Sequence, residues 1–163
     1  MTAFFFSLII AFSATYTKDP IPDKALVDTL KKMYTIVSST PVKPKEQDLI
    51  YVLLRNQTIT TQSLSFITKI DSYLFKGKPN NQGIKPIIEF QIWELNTEEN
   101  ARLCFKIMKE AREDKPPKGY FQYQNKIYYF AAGSTYIYLE YGRKAYNKVV
   151  SYFDKTQIQQ VVY

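Results

Sequence analysis

Two aromatic-rich segments, residues 119–123 and 126–130, are separated by only two residues, Gln124 and Asn125. A two-residue connection between extended segments forms a tight β-hairpin and sets how the two strands pair. Because the register decides which side chains share a face, this segment constrains the fold more than any other part of the sequence. The turn predicts three cross-strand pairs: Tyr123–Lys126, Phe121–Tyr128 and Tyr120–Tyr129.

A third strand is predicted directly after this hairpin. Residues 131–134 form the turn, and the strand runs through Tyr141. This arrangement pairs Tyr129 with Tyr136 and gives one face of the sheet a largely apolar character. We expect that face to be the core, and we expect the helix predicted at residues 97–113 to pack against it. Its members are Phe121, Tyr123, Tyr128, Phe130, Ile137 and Leu139.

The opposite face carries a cross-strand row of tyrosines, and Trp93 on the preceding strand extends it. Two interpretations are open. Directly opposed aromatic side chains stabilise a sheet by about 0.2–1 kcal/mol per pair, and the N-terminal helices would then cover them. Alternatively, the uncovered rings form a flat amphipathic surface for a carbohydrate, a peptide or stacked bases. The candidate binding residues are Tyr120, Tyr129, Tyr136, Tyr138 and Trp93.

Apolar spacing predicts helices in the first half of the chain. Leu26, Leu30, Met33 and Val37 recur at intervals of four, three and four residues, which predicts an amphipathic helix over residues 22–38. Polar residues occupy the other faces of this helix, and we expect those faces to contact solvent.

Helical spacing of Leu64, Ile67, Ile70 and Leu74 predicts another helix at residues 64–74. Periodicity does not assign the short apolar run at residues 49–54, but the polar and acidic residues 46–48 before it favour the start of a helix there.

The second half of the chain gives the fold class. Alternation of apolar and polar residues from Ile88 to Ile92 predicts a strand, and Asn96 with Glu99 forms a capping box for the following helix. A last helix is predicted around Ala145–Phe153. We therefore expect an α+β fold, in which N-terminal helices precede a β-α-β-β-β-α unit with a mainly antiparallel sheet. A chain of 163 residues fits one domain, assigned to residues 14–163.

The N-terminus predicts export. Ala3–Phe12 is a continuous apolar run of ten residues, which is short of the about 20 that a membrane-spanning helix needs. It is typical of a signal peptide over residues 1–13, with a small-x-small cleavage site ahead of Ala14. No Lys or Arg precedes the run, and a buried first strand is the alternative. We expect an extracytoplasmic protein, periplasmic or secreted, without a stable transmembrane segment after cleavage.

The composition excludes several kinds of active site. The chain has no histidine, which removes Ser-His-Asp and Cys-His catalysis and any imidazole-based zinc site. Its single cysteine, Cys104, excludes an intrachain disulfide and a thiolate metal cage. No phosphate-binding or dinucleotide-binding glycine motif is present. We therefore expect neither a metal nor a cofactor.

These observations favour an exported, non-enzymatic binding or interaction module, whose ligand is a protein, a small molecule or a carbohydrate. A small envelope hydrolase that uses carboxylates is one alternative. A nucleic-acid-binding domain is another, because the net charge is +7 and residues 119–130 are aromatic and basic. That segment has only fragments of an RNA-recognition pattern, so nucleic acid is disfavoured. Nucleic-acid binding would also require the basic residues to lie together on one face of the fold.

Overall fold

The computed structural model describes residues 22–41, 65–110, 118–132 and 136–162. Within these ranges, six strands form one sheet in the order β1-β2-β3-β5-β4-β6, and every pair of neighbours is antiparallel. The predicted α+β class with a mainly antiparallel sheet is confirmed. The elements are α1 (Asp23–Lys31), β1 (Thr35–Pro41), β2 (Ile67–Lys76), β3 (Ile87–Leu95), α2 (Glu98–Glu110), β4 (Lys118–Tyr123), β5 (Lys126–Ala132), α3 (Tyr136–Val150) and β6 (Gln159–Val162).

Helices pack on both faces of this sheet, because its central strands bury side chains on both sides. Strand β3 illustrates this: Phe90 and Trp93, which point in opposite directions, are both fully buried. Helices α1 and α3 cover the side of Phe90, called here the α1/α3 face. Helix α2 covers the side of Trp93, called here the α2 face. The described part of the chain thus has two apolar cores with the sheet between them.

The hairpin forms with the predicted register, and all three cross-strand pairs are present. Gln124 in its turn adopts a positive φ of 50°. The predicted core face is also confirmed for Phe121, Tyr128 and Phe130, which are buried on the α1/α3 face. The prediction that the helix at residues 97–113 packs on this face is wrong. Helix α2 lies on the other face, so the apolar stripe of Cys104 and its neighbours meets the tyrosine side of the sheet.

The helix predicted at residues 22–38 is wrong in its second half. Helix α1 ends at Lys31, and residues 35–41 form the edge strand β1. Leu26 and Leu30 are fully buried, whereas Met33 and Val37 are 39% and 56% exposed, so the helical spacing of these two residues has no structural role. Thr35 and Ile36 are β-branched, and pairing with β2 suits them better than a helix does, while Val37 lies at an irregularity of the pairing.

The helix predicted at residues 64–74 is also wrong, because Ile67–Lys76 is strand β2. A β-bulge between Ile67 and Lys69 explains the misleading pattern. Residues three apart lie on opposite faces of a regular strand, but the extra residue of the bulge returns Ile67 and Ile70 to the same face. Both are buried beside Trp93, and their spacing therefore imitates a helical stripe.

The predicted third strand through Tyr141 is wrong as well. Residues 136–150 form helix α3, and the strand beside Tyr129 is β3, where Gln91 is its partner. The tyrosines of this segment have high β propensity, but tertiary packing overrides such preferences. Ala145, Tyr146 and the residues one turn later form the buried stripe of the helix. Strand β6 was not predicted, and the helix predicted at residues 49–54 lies outside the described residues.

One glycine position shows how tightly α3 packs against the sheet. A Cβ atom at Gly119 in β4 would lie 2.7 Å from Cδ2 of the Tyr146 ring, which is fully buried. Contacts that short do not occur between unstrained atoms, and the ring has no free space to move into. Glycine therefore permits the close approach of α3 to β4.

The buried phenols of the α1/α3 face predict an alkaline transition. Burial raises the pKa of Tyr34 and of Tyr146 to about 12, and the Tyr141 hydroxyl adds to the effect at Tyr34. The folded state therefore favours the neutral phenol. We expect these two phenols to leave the free energy of unfolding unaffected by pH below 10 and to lower it as the pH rises through 12. Urea unfolding at a series of pH values, with tyrosinate absorbance as a second signal, measures this. Tyrosines that all titrate together near their ordinary pKa would contradict it.

Candidate functional site

Three of the five sequence-predicted binding residues lie together in the core. Trp93, Tyr120 and Tyr129 are 0%, 2% and 4% exposed, and α2 covers them. The ring centroids of Trp93 and Tyr129 are 6.1 Å apart, and Phe105 of α2 meets Tyr120 edge-on at 5.3 Å. These contacts occupy the ring surfaces that a ligand would need, so the structure favours the structural interpretation for these three residues.

The other two predicted residues, Tyr136 and Tyr138, do not extend the row. Both belong to the beginning of α3, so neither is a cross-strand neighbour of Tyr129. The strand neighbours of Tyr129 are Gln91 of β3 and Tyr120 of β4. The predicted row of three tyrosines across the sheet is therefore replaced by a shorter aromatic cluster beneath α2.

A chain of polar side chains continues from this cluster along β3. The Trp93 indole N–H donates to Oε1 of Gln91 at 2.7 Å, and Nε2 of Gln91 donates to Oε1 of Glu89 at 2.6 Å. Ser72 of β2 donates to the same carboxylate oxygen at 3.0 Å. Gln91 is only 2% exposed, and its two hydrogen bonds offset the cost of burying an amide. These alternate residues of β3 form a hydrogen-bonded chain that stabilises the α2 face.

A second polar cluster connects α1 to the sheet. Nζ of Lys126 lies 2.5 Å from Oδ2 of Asp23, and the Tyr128 hydroxyl donates to Oδ1 of Asp23 at 3.1 Å. Burial and then the Asp23 charge raise the pKa of Tyr128. Both oxygens of this carboxylate are thus engaged by the β5 side chains. The cluster holds the beginning of α1 against the sheet.

An open cleft lies beside α2, and its two parts meet at Arg102 and Gln159. One part has a volume of about 730 Å³ and follows the helix. The other, of about 540 Å³, lies at the beginning of the helix, next to the β4–β5 turn and the loop before β6. We call the whole the α2/β6 cleft. The first part is lined by Arg102, Leu103, Phe105, Lys106, Lys109, Glu110 and Gln159.

Side-chain amides dominate the second part of the cleft. Gln124, Gln157 and Gln159 are exposed, and Gln122 is buried at the base, where its amide donates to the carbonyl of Gln124. Gln122 and Gln159 are cross-strand partners on β4 and β6. The lining is completed by Glu98, Arg102, Tyr123, Thr156 and Ile158. Polar groups that both donate and accept hydrogen bonds are thus concentrated in one place.

The loop that borders this part of the cleft is held by Asp154. Its Oδ1 accepts the Thr156 backbone N–H at 2.9 Å and the Thr156 hydroxyl at 2.8 Å. The Gln157 N–H donates to the Asp154 carbonyl at 3.0 Å. The bonds from Thr156 lower the pKa of Asp154. An Asx turn of this kind restricts the conformation of the loop at the border of the cleft.

Charge in the cleft is close to balanced, with a small cationic excess. The Arg102 guanidinium donates to the Glu98 carboxylate one turn earlier, and Nζ of Lys106 lies 3.9 Å from Glu110. Lys109 adds a further positive charge. Sequence reasoning did not find the cleft residues. The available signal was the glutamine-rich segment at 157–160, next to the last strand.

The single cysteine, Cys104, is free and buried. Burial raises the pKa of the Cys104 thiol to about 12, so the side chain is a packed neutral thiol within the α2 core. Among the described residues, no group of three or more acidic or cysteine side chains could hold a metal ion. In the same part of the chain, no helix has the length and apolar character needed to span a membrane.

Comparisons with known proteins give no relative for this arrangement. No protein family model matches the chain, and neither the curated proteins nor the solved structures give a significant match.

Proposed function

We propose that the protein is an exported, non-enzymatic binding module that holds a polar oligosaccharide in the α2/β6 cleft. The observation that supports this is the set of exposed amides at Gln124, Gln157 and Gln159. Each amide carries two donor hydrogens and an acceptor oxygen, which match sugar hydroxyls because a hydroxyl also donates and accepts. An oligosaccharide offers many such hydroxyls along an extended chain, as an elongated cleft requires.

The remaining lining residues suit the same class of ligand. The Arg102–Glu98 pair presents a planar donor group beside an acceptor, and a bidentate contact to neighbouring hydroxyls uses both. Leu103 is 44% exposed and gives the wall an apolar surface on which the C–H face of a sugar ring can pack. Such a division between a few placed polar groups and an apolar wall is typical of small-molecule sites.

Export is part of the proposal and rests on the sequence. The apolar run Ala3–Phe12 and the following small residues match a signal peptide, and they lie outside the described residues. We expect the mature protein to begin at or near Ala14. Mass spectrometry of the protein from its native host provides the measurement, and recovery of an intact Met1–Phe12 segment would exclude cleavage there.

The binding proposal is tested with an array of immobilised bacterial and plant oligosaccharides, followed by calorimetry with the best binder. The double variant Gln157→Ala and Gln159→Ala removes two amides from the cleft. Each net hydrogen bond contributes about 0.5–1.5 kcal/mol, so we expect the double variant to weaken binding by about fivefold or more. Its circular dichroism and thermal unfolding should match those of the unchanged protein, because both side chains are exposed.

Gln82→Ala is the matched control. Gln82 is an exposed glutamine in the β2–β3 loop, outside the cleft, and its substitution should leave the affinity unchanged. The proposal is contradicted if no oligosaccharide binds. It is also contradicted if the cleft variant binds as tightly as the control, because the ligand would then lie elsewhere on the protein.

A further inference from the structure

A large share of the chain's net charge gathers on the outer surface of α1 and α3. The exposed stripes of these helices carry six basic side chains and two acidic ones, a net charge of +4 against +7 for the whole sequence. The basic residues come from separate parts of the sequence and do not form a dense basic run. They are Lys24, Lys31, Lys32, Arg143, Lys144 and Lys148, and the acidic ones are Asp28 and Glu140.

The two helices present these charges in the same direction. Leu30 of α1 and Val149 of α3 are buried in the same core, so the opposite sides of both helices face solvent together. Contacts between the helices keep them side by side: the Thr29 hydroxyl donates to the Tyr152 hydroxyl at 3.3 Å, and the Tyr34 hydroxyl donates to the Tyr141 carbonyl at 3.4 Å. The result is a broad basic surface made of two helices lying on the sheet.

Both acidic side chains on this surface are already paired within their own helices. Asp28 lies 3.3 Å from Nζ of Lys31, and Glu140 lies 2.7 Å from Nζ of Lys144. Within the described residues, the other four basic side chains take part in no ion pair. Four cations on one surface therefore have their charge available for an external anion. They are Lys24, Lys32, Arg143 and Lys148.

Tyrosines lie between these cations. Nζ of Lys148 is 5.8 Å from the centroid of the half-buried Tyr152 ring, and Nζ of Lys144 is 5.7 Å from that of Tyr141. The Thr29 hydrogen bond and then the charges of Lys148 and Lys32 lower the pKa of Tyr152. A lysine ammonium therefore lies over one face of each ring, where it would compete with a stacking base. Lysine and tyrosine side chains that lie side by side are instead typical of protein surfaces that contact the headgroup region of a lipid bilayer.

We propose that the α1/α3 surface docks on an anionic lipid bilayer, with Lys32 and Lys148 near the centre of the contact. A bilayer surface is extended and carries many negative headgroups, which complements a surface of two helices with four available cations. Met33, 39% exposed just beyond α1, adds an apolar group at the edge. The contact is peripheral, and it leaves the α2/β6 cleft on the opposite side of the sheet free.

Co-sedimentation with vesicles tests this inference. The protein is mixed at low salt with phosphatidylcholine vesicles and with vesicles that also contain phosphatidylglycerol. We expect binding only to the anionic vesicles. The double variant Lys32→Gln and Lys148→Gln removes two charges from the surface, and each lysine near an anionic bilayer contributes about fivefold to the partition coefficient. We therefore expect a loss of about 30-fold.

The control carries the same charge change elsewhere. Lys78→Gln with Lys85→Gln removes two exposed lysines from the β2–β3 loop, and we expect less than about a threefold change because screening limits charges away from the contact. Equal losses in both variants, or no binding to anionic vesicles, would overturn the inference. So would a duplex oligonucleotide that binds the protein more tightly than the vesicles do and that loses affinity selectively in the α1/α3 variant.

Discussion

Replacement of Tyr129 by alanine is expected to lower the free energy of unfolding by about 3–5 kcal/mol, as for other large buried aromatic residues. The Tyr129 side chain is 4% exposed and lies between the sheet and α2, beside the ring of Trp93. Truncation removes the ring from a core in which α2 cannot move inward without losing its contacts with the neighbouring strands. Urea unfolding followed by circular dichroism measures the loss.

Tyr129→Phe separates the ring from its hydroxyl. The phenylalanine keeps the apolar contacts with Trp93, so we expect its cost to be well below that of the alanine variant. A loss below about 1 kcal/mol for Tyr129→Ala would contradict the burial of this face. Such a result, together with weakened ligand binding, would restore the interpretation of the tyrosines as an exposed binding platform.

The parts of the fold that were predicted correctly depend on local signals. The two-residue turn at Gln124 and Asn125 determines the hairpin register without help from the rest of the chain. Alternation along β3 and the polar residues before α2 act over similarly short distances. The Thr97 hydroxyl accepts the Asn100 N–H at 3.1 Å, and Asn96 accepts from the Asn100 amide, so the beginning of α2 is capped close to the predicted position.

The errors arise where a non-local choice decides the structure. Both faces of the hairpin are apolar enough to be buried, and the sequence does not state which face α2 will cover. Only the packing of α1 and α3 on Phe121 assigns α2 to the side of Tyr129. The bulge at β2 likewise depends on pairing with β3, because an isolated segment has no reason to insert an extra residue.

The two proposed surfaces could not be predicted for a related reason. The α2/β6 cleft joins Arg102 of α2 with Gln159 of β6, and strand β6 has no strong periodic pattern. The basic surface joins Lys32 with Lys148, which are far apart in sequence and close in the fold only because α1 and α3 share a core. The even distribution of charge along the sequence therefore concealed its concentration in space.

Replacement of Phe121 by alanine should be at least as damaging as replacement of Tyr129. The Phe121 side chain is fully buried on the α1/α3 face, and its ring is surrounded by other rings. The centroid of Tyr128 lies 4.7 Å away in a stacked arrangement, and those of Phe153 and Tyr146 lie 5.1 and 6.0 Å away. Rigid aromatic neighbours cannot collapse into the space that the phenyl ring leaves, so the cavity persists and its cost adds to the lost burial.

We therefore expect Phe121→Ala to lower the free energy of unfolding by about 4–5 kcal/mol, near the upper end for aromatic truncations. Phe66→Ala is the matched control, because Phe66 is only partly buried at the margin of the α2 core, and its loss should be clearly smaller. Urea unfolding of both variants gives the comparison. If Phe121→Ala proved no more costly than a small loss in Phe66→Ala, the ring cluster around Phe121 would not be the centre of the α1/α3 core. α1 and α3, with the basic surface they carry, would then need a different anchor on the sheet.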